Sequence, residues 1–147
     1  MSMIIRWCVL SAGCALLLAC DANDVHTLVT IADARTDKAH MIDTGSPGDS
    51  VGDMVVFDQP LLNSMGDIIG NNSGVCVRTR VAKIYQCQWT LTFSSGTIQV
   101  AGREADNGTS AISIVGGTGT YAGISGEMIS INNNDGTFTQ TLRYRLH

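Results

Sequence analysis

The chain has 147 residues, the length of one domain with its own hydrophobic core. Nine Lys and Arg against thirteen Asp and Glu give a formal net charge of −4, and no basic patch is interleaved with aromatics. That balance excludes nucleic acid as an expected partner, because phosphate backbones are held by clustered cations.

Residues 1–19 do not read as part of that domain. Arg6 is followed by "WCVLSAGCALLLA", an uncharged apolar run as long as a signal-peptide core and too short to cross a bilayer as a helix. The run closes on "LLLAC", Leu16 to Cys20, which resembles the lipobox of bacterial lipoproteins. That resemblance implies acylation of Cys20, a mature domain over residues 20–147, and an exported protein that meets a membrane only through its lipid. The alternative is an ordinary cleaved signal and free secretion. Beyond the targeting segment Cys76 and Cys87 are the only cysteines. In an exported domain such a pair is expected to close a disulfide that stabilises by about 3 kcal/mol. His26, His40 and His147 show no metal-ligand spacing, so neither a metal nor a cofactor is expected.

After the signal, alternation of period two dominates. "QCQWTLTF" sets Cys87, Trp89, Leu91 and Phe93 on one face and Gln86, Gln88, Thr90 and Thr92 on the other, the pattern of a strand with two unlike faces. "TFTQTLRYRL" does the same near the C-terminus, with Phe138, Leu142, Tyr144 and Leu146 against Thr137, Thr139, Thr141, Arg143 and Arg145. Turn chemistry separates the runs: "SSG" at 94–96, "DNG" at 106–108 and "NNDG" at 133–136. The pattern predicts eight strands, near 25–34, 53–62, 74–81, 85–94, 97–103, 110–116, 124–132 and 136–146. Links are short from residue 74 onward, so sequence neighbours should pair antiparallel, and Cys76 should face Cys87. The expectation is an all-β fold, an eight-stranded antiparallel β-barrel. Closure removes the exposed edges and leaves an interior either filled by side chains or holding one small ligand. Segment 35–52 is expected to be one long irregular connection over a barrel end.

"IVGGTGTYAGISGEM", Ile114 to Met128, raises the question of a phosphate-binding loop. Such a loop needs a helix after its glycines, whose N-terminal N–H groups face the anion. Here "SGEMISINN" follows, β-branched and without helical period, and the Walker lysine is absent. The stretch predicts a strand-to-strand corner whose glycines supply positive φ and close backbone approach.

The same corner, "GGTGTYAGISGEM", resembles the glycine-rich segment shared by plant dirigent proteins and allene oxide cyclases. "SVGDMVVFDQPLLNS", residues 50–64, is similar to the segment that reads VVFDDPLT in dirigent proteins. "GVCVRTR" and "YQCQWTLTFSSGTIQVAG", within 74–102, look like bacterial members of the allene oxide cyclase barrel superfamily. The resemblance implies an eight-stranded barrel, often a homotrimer, with an apolar cavity. It also implies cyclase- or isomerase-like chemistry, or dirigent-like steering of a reactive small molecule. The cyclases carry an acid and an asparagine on their first strand; Ala32 and Ala34 stand there, with Asp33 facing the other way, which argues against allene oxide cyclase activity itself. Asp58 matches the first acid of the dirigent DDPL motif and Gln59 replaces the second.

Asp58 is therefore the candidate catalytic residue, since a carboxylate inside an apolar barrel can move protons. A solvated acid at a strand end is its alternative. The register leaves open whether Asp58 or Gln59 points inward. Phe57, Trp89, Phe93 and Tyr144 are candidates to line a cavity for a small hydrophobic partner, or else ordinary core. Three functions stay open: a cyclisation- or stereochemistry-directing protein, a non-catalytic binding module, and a structural envelope lipoprotein. The lumen discriminates among them, because only the first needs a cavity containing an acid.

Overall fold

The computed structural model describes residues 24–35 and 39–147; Cys20 and the rest of the targeting segment lie outside the described residues. Nine strands follow in chain order: β1 (His26–Asp33), β2 (Ala39–Ile42), β3 (Met54–Leu62), β4 (Ile68–Arg80), β5 (Ile84–Phe93), β6 (Gly96–Ala105), β7 (Thr109–Gly117), β8 (Ile124–Asn132) and β9 (Thr137–Leu146). From β3 to β9 each strand pairs antiparallel with the next, and β1 pairs with β9. The ring closes where Ile31 and Ala32 of β1 meet Leu62 and Leu61 of β3. The barrel is thus eight-stranded and antiparallel, with β2 as one extra strand.

That extra strand corrects the expectation of an irregular 35–52. Ala39–Ile42 pairs with Phe57–Met54, farther along the β3 edge that β1 uses. β1 and β2 therefore occupy one edge in succession, with a break opposite residues 58–60. Pro60 sits opposite this break, where its missing N–H costs least. β4 also begins earlier than predicted, at Ile68 rather than 74. Its polar "GNNSG" run has little strand propensity of its own, but β3 and β5 pair with it on both sides.

The lumen is layered along the barrel axis. Leu61, Leu91, Ile98, Val100, Ile112, Met128 and Leu142 are essentially inaccessible and form an apolar floor across it. Each contributes roughly 1.5–3 kcal/mol by leaving water. Below that floor Tyr121 packs against Phe93 at 5.6 Å and Tyr144 at 6.2 Å between ring centroids. The lower half is therefore filled, whereas the upper half is not.

Cys76 and Cys87 are cross-strand partners, both buried, and are joined by a disulfide. The glycine-rich stretch is the corner expected of it: β7 ends at Gly117, a single 3-10 turn spans Gly119–Tyr121, and β8 starts at Ile124. Gly119 has φ +60°, and a Cβ there would come within 2.4 Å of the Ser95 carbonyl oxygen. No helix follows to present N–H groups to a phosphate.

Candidate functional site

Above the floor lies a cavity of about 350 Å³. Its wall is set by strand parity. Val55, Phe57 and Gln59 point inward from β3, Asn72, Cys76 and Arg78 from β4, and Tyr85 and Trp89 from β5. Glu104 enters from β6, Ser130 and Asn132 from β8, and Phe138 and Gln140 from β9. Gly74 lies between Phe57 and Trp89 in the register, and a Cβ on it would come within 2.3 Å of the Trp89 Cβ. Its missing side chain lets the two rings meet across β4, at 6.4 Å between centroids. The wall is mostly apolar and aromatic, as in sites for small organic molecules.

Four buried polar atoms on this wall have no protein partner: Gln59 Oε1, Asn72 Oδ1, Trp89 Nε1 and Glu104 Oε2. Buried polar groups are nearly always satisfied, so four open ones around one cavity mark a place built to be filled. Glu104 has the most chemistry to offer. Ser130 Oγ donates to its Oε1 at 2.9 Å. Ser110, whose hydroxyl accepts from the Ala105 N–H at 2.9 Å, is a second serine beside this carboxyl. Burial pushes the carboxyl above the ordinary glutamate range, and the two serine hydroxyls only partly oppose this. Among the described residues it is the acid that lines the lumen without a cation beside it.

The mouth is tied by Arg78, which is 6% exposed. Its Nε lies 2.7 Å from an Asp49 carboxylate oxygen, and its Nη1 donates to Asp106 Oδ1. Nη2 donates to Tyr85 Oη at 2.7 Å, and the guanidinium stacks 3.6 Å from the centre of that ring. Asp49 also accepts from the Ala82 N–H, so Arg78 holds the 43–53 connection against the β4–β5 turn. Asp53 is buried and accepts from the N–H groups of Thr44 and Ser50, which shape that connection and hold its carboxyl low.

The residues predicted from sequence separate into two groups and a correction. Phe57 and Trp89 line the cavity. Phe93 and Tyr144 point into the same barrel but lie below the floor, packed with Tyr121. Asp58 is exposed on the outer wall, where Asn71 Nδ2 donates to its Oδ1, and it takes no part in the lining. The inward member of the pair is Gln59, 5% exposed. Parity on β3 decides this, because Gln59 shares a face with Leu61, which is fully buried in the floor. Ala32 and Ala34 do reach the interior; Asp33 pairs with Arg35 instead, which pulls its carboxyl down to about 2. Glu104 and Asn72 were not singled out by the sequence, and Gln59 was named only as the alternative to Asp58 for the inward position. A signal existed for Glu104, which continues the inward series Ile98, Val100, Gly102 by one more step.

Comparison with known proteins places these features in a wider set. The profile described as "Dirigent-like protein" matches residues 22–147. Among curated proteins none matches. Of solved structures, a pyocyanin demethylase is 26% identical with a TM-score of 0.73, spanning 81% of this chain and 99% of that one. The pterocarpan synthase dirigent protein PsPTS1 is 16% identical with a TM-score of 0.66, spanning 85% and 97%. The Diels–Alderase AbmU from Streptomyces koyangensis is 19% identical with a TM-score of 0.68, spanning 86% and 66%. At these last two identities the likeness is one of fold.

Proposed function

The chain belongs to the dirigent-like family, and on that footing we propose that its barrel takes up one small hydrophobic molecule and directs its cyclisation or stereochemistry. The single observation that carries this reading is Glu104 Oε2, buried in an otherwise largely apolar cavity without a protein partner. A carboxyl whose hold on its proton is strengthened by desolvation can donate to a ligand oxygen or nitrogen, and its conjugate base can take a proton back. The floor and aromatic walls supply shape, holding one reactive conformer and excluding water. Amide oxygens from β3 and β4 and an acid from β6 make the walls chemically unlike, so a prochiral ligand meets two different faces. Two proteins that share the fold, a pterocarpan synthase dirigent protein and a Diels–Alderase, support ring formation as the kind of reaction. The presence of an acid in the cavity favours this over a non-catalytic binding module, and the open upper lumen favours it over a purely structural barrel.

The test is Glu104→Gln, which keeps shape and removes the proton. Turnover of a substrate should fall by roughly 10²–10⁴ while its binding persists, the usual contribution of a positioned acid or base. Unchanged turnover would remove Glu104 from the chemistry.

Export belongs to the same proposal. "LLLAC" and a cross-strand disulfide, a bond that persists in oxidising compartments, both support it. Intact-mass measurement of the protein from its native envelope should show an acylated Cys20 at the N-terminus; a cut elsewhere, or a free Cys20, argues for plain secretion. A homotrimer is the expected assembly, checked by light scattering.

A further inference from the structure

We propose that the cavity selects aromatic ligands bearing a positive charge and rejects carboxylates and other anions. The inference rests on the reading of the upper lumen as a ligand cavity and adds to it the charge of what it holds.

The charged residues lining the cavity, among those described, are Arg78, Glu104 and Asp106. Arg78 is the sole cation of the three, and it is already committed. Asp49 and Asp106 both pair with it, two carboxylates against one guanidinium, and Tyr85 takes a further donor. An anionic ligand would have to compete with both for a charge that is more than neutralised. Glu104, by contrast, lines the same cavity with Oε2 buried and without a hydrogen-bond partner. The other open atoms point the same way. Gln59 Oε1 and Asn72 Oδ1 are acceptors, so three of the four unpartnered atoms are oxygens and only Trp89 Nε1 is a donor. The faces of Phe57 and Trp89 complete the preference, because aromatic quadrupoles attract cations, most strongly where water is excluded. An acceptor-rich, aromatic cavity with one unpaired carboxyl is complementary to a planar organic cation. A ligand of two or three fused rings suits its size, which is at the small end for organic-ligand pockets.

Three probes on one bicyclic frame separate charge from shape: 1-methylquinolinium as cation, 1-methylnaphthalene as neutral hydrocarbon and 1-naphthoate as anion. Each is titrated into the folded protein at neutral pH and followed by calorimetry. The cation should bind about tenfold or more tighter than the anion, with the hydrocarbon between them, a gap within the range of single buried charge contacts. Glu104→Gln should leave hydrocarbon binding within about twofold and reduce the cation to the level of the hydrocarbon. Naphthoate binding as tightly as methylquinolinium would overturn the charge selectivity while leaving the cavity reading intact. A cation preference that survives Glu104→Gln would overturn the role given to Glu104. Failure of all three probes to bind would overturn the cavity itself, and this proposal with it.

Discussion

Ser130 Oγ donates to Glu104 Oε1 at 2.9 Å, while Oε2 is buried beside the lumen without a hydrogen-bond partner. One oxygen is thus fixed from β8 while the other is free to act. Positioning and reactivity are divided between the two oxygens of one carboxyl.

A stability difference follows from the direction of the Glu104 shift. Burial raises its carboxyl above the ordinary glutamate range, with Ser130, Ser110 and Tyr85 as its immediate neighbours. The folded state therefore holds this proton at pH values where the unfolded chain has released it. Linkage then makes the contribution of Glu104 to stability full below the unfolded value and lost as pH rises through the raised folded one. Glu104→Gln should flatten that fall and be the more stable protein at neutral pH. Urea denaturation across pH 4 to 8 checks this; a variant less stable than its parent at neutral pH would show that the ionised carboxyl is well satisfied.

Asp58 should be inert. It is exposed and bonded only to Asn71 on the outer wall. Asp58→Asn should change stability by no more than about 0.5 kcal/mol and leave ligand binding unaltered. A loss of binding comparable to that of Glu104→Gln would mean that the outer wall contributes to the site.

Arg78→Ala removes a nearly buried cation from two carboxylates and a tyrosine. Breaking such a group costs about 3 kcal/mol or more, since Asp106 is left beside the cavity without its counter-ion. The amide of Ala82, held by Asp49, should exchange faster with solvent as the 43–53 connection loosens. Protection at Ala82 unchanged from the parent would show that the connection is held by Asp53 alone.

Reducing Cys76–Cys87 opens a covalent link across a sequence separation of 11 residues. The loss should be about 3 kcal/mol, lowering Tm by on the order of 10 °C without unfolding the barrel, whose floor does not depend on the bond. Collapse of the near-ultraviolet signal at room temperature on reduction would show that the floor cannot hold the barrel alone.

Much of the barrel was legible because period-two alternation and short turns act locally. Trp89, Leu91 and Phe93 declare their face within eight residues, and the Cys76–Cys87 pairing follows once their strands are hairpin neighbours. The site was less legible, for reasons that lie in particular residues. On β3 both parities are apolar, Met54 and Val56 against Val55 and Phe57, so nothing local decides between Asp58 and Gln59; burial of Leu61 in the floor decides it. On β6 Gly102 interrupts the inward apolar series, and the predicted strand stopped at 103, one residue short of Glu104. Asn72 lies in a run that looks like a loop and becomes strand only through partners on both sides. β2 has four residues and a single strand partner, too short for a period to register.

The titration of Glu104 itself is the most direct measurement. Carboxyl carbon chemical shifts of the folded protein, followed by NMR across pH 3 to 9 with and without 1-methylnaphthalene, report its ionisation and its exposure to the cavity. Glu104 should titrate above the ordinary glutamate range, and higher still when the hydrocarbon displaces water from around it. A Glu104 that titrates in the ordinary range and ignores the hydrocarbon would contradict an acid working inside a ligand cavity.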